Sequence, residues 1–421
     1  MKSNCILPVA LLALQGTTWA ATKTWIDSGS ARAWFTTANW DLNVAPTASD
    51  IAQFANSGSA TTCGLNMSTA GGNVAIQAVE VTSARARNLK LGNSSPTVGT
   101  LTLNGGTVNG VANTILRNAA TGTTLTLQDN ETGTGKTMGL VIGNAAAVID
   151  AVGPINISSK ISGNGFTKTG AGTLTLSGAN DYTGATTISV GTLALGAANA
   201  LAGSSVITLQ ATAILDASAT GGLSLGAAQT LAGTGSIQGN LAAAGTLSPG
   251  NSPGSLTIHG NTTWLPGGNY NWQIGDADAG AGSGWDTLVI DGTLDLSNLS
   301  LATPYYLNLW SLSATVPADL NGDVPDFLNT QDYTWSIATA GGGIEGFDPA
   351  SFVIEMDPAN GTGGFSNMLS PQGSFALKVS GNSLNLVYAA TSAVPEPASS
   401  AASAVLLASG LLLRRRSKIH A

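Results

Sequence analysis

Along most of this chain, leucine or isoleucine alternates with threonine, serine or asparagine for a few positions and then gives way to glycine. The motif Gly-Thr-Leu-x-Leu stands at Gly99–Leu103, Gly172–Leu176 and Gly191–Leu195, with variants at Thr123–Leu127, Gly221–Leu225, Gly254–Ile258 and Gly292–Leu296. Leu174 and Leu176 point one way and Thr173 and Thr175 the other, which predicts a strand buried on one side. Gly-Asn and Gly-Ala-Asn groups bound these strands as tight corners, and helical patterns are almost absent between them. The motifs recur about nineteen to fifty residues apart, consistent with one or two turns of a coil per interval. Strands this short cannot bury their leucines alone. Stacked one above another, they form a continuous apolar column with threonine and asparagine outside. The expected fold is all-β: a right-handed parallel β-helix with a β-rich C-terminal cap and a C-terminal transmembrane helix.

Two apolar runs depart from this pattern, one at each end. Lys2 precedes the run Cys5–Leu14, and the small residues Ala20 and Ala21 follow, which reads as a secretory signal peptide cleaved after Ala20. Sec export and signal peptidase are the partners this implies. Ala398–Leu413 carries no charge and is closed by Arg414, Arg415 and Arg416. As a helix it would extend ~24 Å. The shortfall against a ~30 Å hydrocarbon core is covered by snorkelling arginines and local thinning. The cationic block would stay on the cytoplasmic side and orient the protein outward. Ahead of the run, Val394, Pro395, Glu396 and Pro397 form an extended segment, because each proline disfavours helical geometry in the residue before it.

The block Val394-Pro395-Glu396-Pro397, the apolar run and Arg414–Arg416 together resemble the C-terminal sorting signal of PEP-CTERM proteins. The resemblance covers only the last thirty or so residues. It implies recognition of Pro395, Glu396 and Pro397 by an exosortase, a polytopic membrane protease of bacteria that make extracellular polysaccharide. Gly165–Gly196 in turn resembles the autotransporter-associated β-strand repeat, and Gly233–Gly260, with its Ser-Pro-Gly-Asn-Ser-Pro-Gly turn, resembles the end of such passenger regions. That likeness spans roughly residues 80–260 and implies a β-solenoid of the kind found on bacterial surface proteins. Autotransporters end in a membrane β-barrel, and nothing after Gly260 supplies its amphipathic strands. A passenger served by a separate barrel chain is an alternative that the apolar-basic tail disfavours. The organisation expected is a signal peptide over 1–20, an aromatic N-terminal cap over 21–80, the β-helix over 81–260, a β-rich cap over 261–390 and the sorting signal over 391–421.

Composition narrows the functions available. The formal net charge is −8, and five of the fifteen cations (Lys2, Arg414, Arg415, Arg416 and Lys418) lie in the removable ends. No Lys or Arg occurs between Lys168 and Lys378. Nucleic acid, which demands clustered cations, is therefore excluded as a partner. Of the two cysteines, Cys5 is lost with the signal, and Cys63 alone cannot form an internal disulfide.

Aromatic residues concentrate in the flanks. Trp25, Trp34, Trp40, Phe35 and Phe54 read as a cover for the open N-terminal end, or alternatively as a sugar-binding platform. Trp272, Trp285, Trp310 and Trp335 return after Trp264, and Phe375–Val379 and Leu384–Tyr388 alternate as antiparallel strands would.

Chemistry is sparse. His259 and His420 are the only histidines, so no Ser/His/Asp triad or zinc spacing can be assembled. Asp276, Asp278 and Asp286, and Asp319, Asp323 and Asp326, are the carboxylates from which a polysaccharide lyase or glycoside hydrolase would have to be built. Asp319, Asn321 and Asp323 fit the first, third and fifth ligand positions of a calcium loop. Val324 then stands where glycine is needed and Thr330 where the closing carboxylate belongs, so an ordinary turn is the simpler reading. The expected function is a non-enzymatic structural or adhesive protein that needs no cofactor, a structural calcium at that loop being the alternative to the ordinary turn. It starts as an inner-membrane precursor and ends in the cell envelope or extracellular matrix, with extracellular polysaccharide as a partner. The alternative is a polysaccharide-active enzyme on the same scaffold.

Overall fold

The computed structural model describes residues 20–26, 34–55, 73–92, 99–128, 138–250, 252–313, 320–357 and 363–390. The alternating segments form strands, and the motif strands pair in parallel with segments a full circuit away. A tight corner cannot lay one strand parallel to the next, so the chain must travel through other strands before returning. Thr173–Leu176 lies in register with Thr192–Leu195, which carries Ile214–Asp216, which carries Ser236–Gln238. The outcome is an all-β stack of parallel sheets, as in a β-solenoid.

Three faces follow one another around each circuit. The first runs from Ala21–Thr24 to Phe352–Glu355, and the second from Leu89–Gly92 to Tyr333–Ala340. The third is in two sections, Asn73–Ile76 to Ile161–Gly163 and Leu223–Leu225 to Ile344–Glu345. Inside, like side chains stack on like. Leu125, Ile155, Leu174, Leu193, Leu215 and Ile237 form one fully enclosed column on the second face. Burial of each such side chain is worth roughly 1.5–3 kcal/mol. Repetition of the motif is thus what makes a pile of very short strands stable.

Gly191 shows why the motif opens on glycine. Its φ is +73°, and a Cβ there would lie 2.6 Å from the Gly170 carbonyl oxygen one turn away. A larger residue would both strain the left-handed backbone and collide with fixed main chain.

Between Gly163 and Leu223 the third face has no strand, and side-chain amides take over the ladder. Asn180 Oδ1 accepts from Ile161 N at 2.8 Å, while its Nδ2 donates to Ala200 O at 3.0 Å. Gln229 Nε2 donates to the carbonyls of Leu201 and Ser204 at 2.8 and 2.7 Å. Both amides are buried and satisfy backbone groups that lack a strand partner.

Parallel stacking extends past the 81–260 stretch that the repeats marked out. It begins at Ala21 and continues to Glu355 on the first face. Asn269–Ile274 keeps the alternation after the Gly/Thr pattern fades, burying Tyr270, Trp272 and Ile274. The excursions between rungs lengthen, with Leu288 pairing with Ala338, so the periodic signal weakens while the coil goes on. Ser374–Ser380 and Ser383–Ala389 then form an antiparallel hairpin on the second face. At the opposite end Trp25, Trp34, Trp40 and Phe54 are buried, with ring centroids 4.9–6.4 Å apart in the contacting pairs. Those rings close the core, and their faces are not open to a sugar.

Among the described residues no helix is long and apolar enough to cross a membrane. Residues 1–19 of the expected signal peptide, the whole of 391–421 and the transmembrane helix expected there lie outside the described residues.

Candidate functional site

The outer sides of the faces carry the most regular chemistry. Parallel register lines mostly polar side chains into rows, with successive rungs ~4.8 Å apart. Thr167, Thr187, Thr208, Ala232 and Ser248 form one row on the first face. On the second, Thr126, Asn156, Thr175, Ala194, Asp216, Gln238 and His259 form another. A shallow cleft of about 310 Å³ on the third face is lined by Thr220, Ser224, Asn240, Asn261 and Thr263. Its corner is an asparagine ladder: Asn240 Oδ1 accepts from Asn261 N at 2.9 Å, and Asn261 Oδ1 from Thr293 N at 3.0 Å. Such a surface offers hydroxyls and amides to a polyhydroxylated ligand and little charge.

Near the N-terminal end the first face carries a charged column that sequence reading missed. Gln53, Glu80, Arg117, Asp150 and Thr169 are consecutive register partners. Gln53 Nε2 donates to Glu80 at 2.9 Å, Arg117 Nε lies 3.6 Å from Glu80, and Arg117 Nη1 donates to Asp150. Thr169 Oγ1 donates to the other Asp150 oxygen at 3.2 Å. The partners are about nineteen to thirty-seven residues apart in the chain, so only the rung length could have revealed them.

Lys168 is a cation enclosed in the core. Its register partners are Ile149 and Ile188, and it is fully buried. Its Nζ donates to the carbonyls of Thr169, Gly170 and Val190 at 3.1, 2.7 and 2.8 Å, which uses all three ammonium hydrogens. Burial pulls its pKa down to about 8, and the Asp150 carboxylate opposes that shift.

The two carboxylate groups singled out in the sequence do meet, though as loop architecture. Asp326 accepts from Ala277 N at 2.9 Å and from Asp278 N at 3.1 Å. Burial pushes the Asp326 carboxyl up, but the Ala277 N–H, the Asp276 side chain and the Asp278 N–H outweigh it and hold it below the usual carboxylate range. Asp276 accepts from the N–H groups of Asp278 and Ala279. Asp286 is fully buried and accepts from Gly254 N at 2.8 Å and Gln273 N at 3.0 Å, with burial pushing its pKa well up. Asp278 stands exposed. These carboxylates hold backbone together.

Of the calcium candidates, Asp319 lies outside the described residues and Asp323 is exposed. Asn321 donates to the carbonyls of Ser311 and Gly364, and its oxygen accepts from Ser366 at 2.9 Å. The amide is thus committed to joining two loops. Among the described residues no group of three or more His, Cys, Asp or Glu is placed to hold a metal ion. His259 lies at the surface, with Nδ1 2.7 Å from Asp291. Val394, Pro395, Glu396, Pro397, Arg414, Arg415 and Arg416 all lie outside the described residues.

Residues 166–208 match the passenger-associated-transport-repeat family. The match covers Phe166–Thr169 through most of Ser204–Leu209, the part of the coil where Asn180 replaces a strand. It supports reading these strands as autotransporter-associated repeats, which occur in exported, passenger-like β-solenoids. No curated protein matches the chain.

Proposed function

We propose that this chain is an exported, non-catalytic structural or adhesive protein of the cell surface or exopolysaccharide matrix. In this reading Sec export and signal peptidase remove the N-terminal run. The remaining precursor is held in the inner membrane by Ala398–Leu413, and an exosortase recognises Pro395, Glu396 and Pro397 while Arg414–Arg416 fix the orientation. The coil is right-handed, the sense almost all parallel crossovers adopt.

The observation carrying this reading is the set of outward, mostly polar rows aligned by parallel pairing. A single Thr or Asn contact with a sugar hydroxyl is weak, but a rigid lattice of them engages many units of a polymer at once, and linked weak contacts multiply. Of the carboxylates singled out, Asp286 and Asp326 are bonded to backbone N–H groups and Asp278 stands exposed, which favours the non-catalytic reading. The transport-repeat match at 166–208 supports export.

The test is to fractionate producing cells and measure co-sedimentation of the exported protein with their extracellular polysaccharide. The reading expects the protein outside the cell, sedimenting with the polymer and leaving it chemically intact. Cytoplasmic retention, or shortening of the polymer, would overturn it.

A further inference from the structure

At its C-terminal end the first face changes character. Tyr305, Leu307, Leu309 and Ser311 turn inward and are buried; of the three residues of opposite pleat, Tyr306 and Trp310 are partly exposed, while Asn308 is covered. The preceding rung sets Asn269, Asn271 and Gln273 against those three in register. The following rung adds Val353 beside Tyr306 and Glu355 beside Asn308. Two aromatic rings therefore stand ~13 Å apart along one strand, on a field of side-chain amides.

The arrangement is held in place. Asn308 Nδ2 donates to Asn271 Oδ1 at 2.8 Å, which fixes the central amide pair. Trp310 is the only tryptophan among the described residues that is not buried. Its Nε1 is nevertheless shut away from solvent, and Gly363 packs so closely that a Cβ there would lie 2.5 Å from that nitrogen. A ligand thus meets the carbon part of the ring, already fixed in orientation, and ordering it on binding costs little.

We propose that Tyr306, Trp310 and Asn271 form a binding platform for an uncharged polysaccharide chain, with the buried Asn308 holding Asn271 in place. The pyranose ring has an apolar C–H face that packs on the electron-rich face of an aromatic ring, while its hydroxyls bond to amides. Two rings one oligosaccharide span apart with amides between match that alternation of surfaces. Charge selects among glycans. Residues 171–390 hold fifteen Asp and Glu against the single cation Lys378, and Glu355 sits on the platform itself. An anionic chain is repelled there and finds no Arg or Lys to pair with. The platform deepens the proposed function and rests on it, because it names the place and polymer class of a contact that the rows alone leave distributed.

The experiment is affinity electrophoresis of the intact exported protein through gels containing a neutral β-glucan, a polyuronate or a cationic amino-sugar polymer. Wild type, Tyr306→Ala and Trp310→Ala are compared, with folding checked by thermal unfolding. The platform predicts retardation by the neutral glucan, insensitive to salt, and weakened about tenfold or more in each variant. Should Trp310→Ala fail to fold, Tyr306→Ala decides alone. Equal retardation of folded variants and wild type would overturn the platform while leaving a glycan-binding solenoid standing. Retardation only by a charged polymer would also overturn it. No retardation by any of the three would remove both readings.

Discussion

The ammonium of Lys168 donates a 2.8 Å hydrogen bond to the carbonyl of Val190, one turn further along the coil. A charge inside an apolar column is costly unless every hydrogen is accepted, and here the backbone of two rungs accepts all of them. The pKa is nonetheless lowered to about 8 by burial. The unfolded chain therefore binds more protons than the folded one between about pH 8 and the ordinary lysine value of ~10.4, and stability rises with pH across that window. Above pH ~10 the buried tyrosines Tyr182, Tyr270 and Tyr305, whose pKa values burial raises, reverse the slope. Thermal unfolding from pH 7 to 10 should show a rising midpoint in wild type and a flatter profile in Lys168→Met. Identical profiles would mean that the buried ammonium is not what titrates.

Asn180 does the work of a missing strand. Replacing it by alanine leaves Ile161 N and Ala200 O without their partner, at a cost of about 2–4 kcal/mol for two buried groups. Urea unfolding of Asn180→Ala reads this directly. A change below about 0.5 kcal/mol, the range of ordinary surface substitutions, would show that the third face holds without it.

Glycine separates by position. Gly191→Ala meets both a positive φ and a 2.6 Å approach, whereas Gly122→Ala meets no atom within 4 Å. The expected losses are about 1–3 kcal/mol for the first and within about 0.5 kcal/mol for the second, measured from denaturant midpoints.

Asp286 and Asp278 differ in the same way. Alanine at Asp286 orphans the N–H groups of Gly254 and Gln273, about 1–3 kcal/mol each. Alanine at the exposed Asp278 should change little. The raised pKa of Asp286 means its contribution is fully present at acid pH and declines as pH rises through the folded value. The wild-type midpoint should therefore lose ground from pH 4 upward by more than that of Asp286→Ala.

What the sequence made legible was local. Alternation at Thr173–Leu176 and Thr192–Leu195 gave strands, and their nineteen-residue spacing gave the rung. The same motif does not mark one face, however. Gly99–Leu103 lies on the third face and Thr173–Leu176 on the second, because corner lengths rather than motif identity decide where a strand lands. The column from Gln53 to Thr169 and the amide bridge at Asn180 were hidden for that reason. Asp326 could not be placed against Ala277 from sequence, since the contact spans forty-nine residues that include three strands of the coil. The outward setting of Trp310 was equally hidden, because its strand is flanked by aromatic residues on both sides of the sheet and gives no clean hydrophobic period.

The account as a whole turns on delivery: a rigid coil carried out of the cell by segments that are then removed. Intact-mass spectrometry of the protein recovered from outside producing cells measures both ends together. The account predicts a chain that starts at Ala21 and ends close to Pro397, without the leucine-rich run and its arginines. A recovered chain that still carries Arg414, Arg415 and Arg416 through to Ala421 would contradict it.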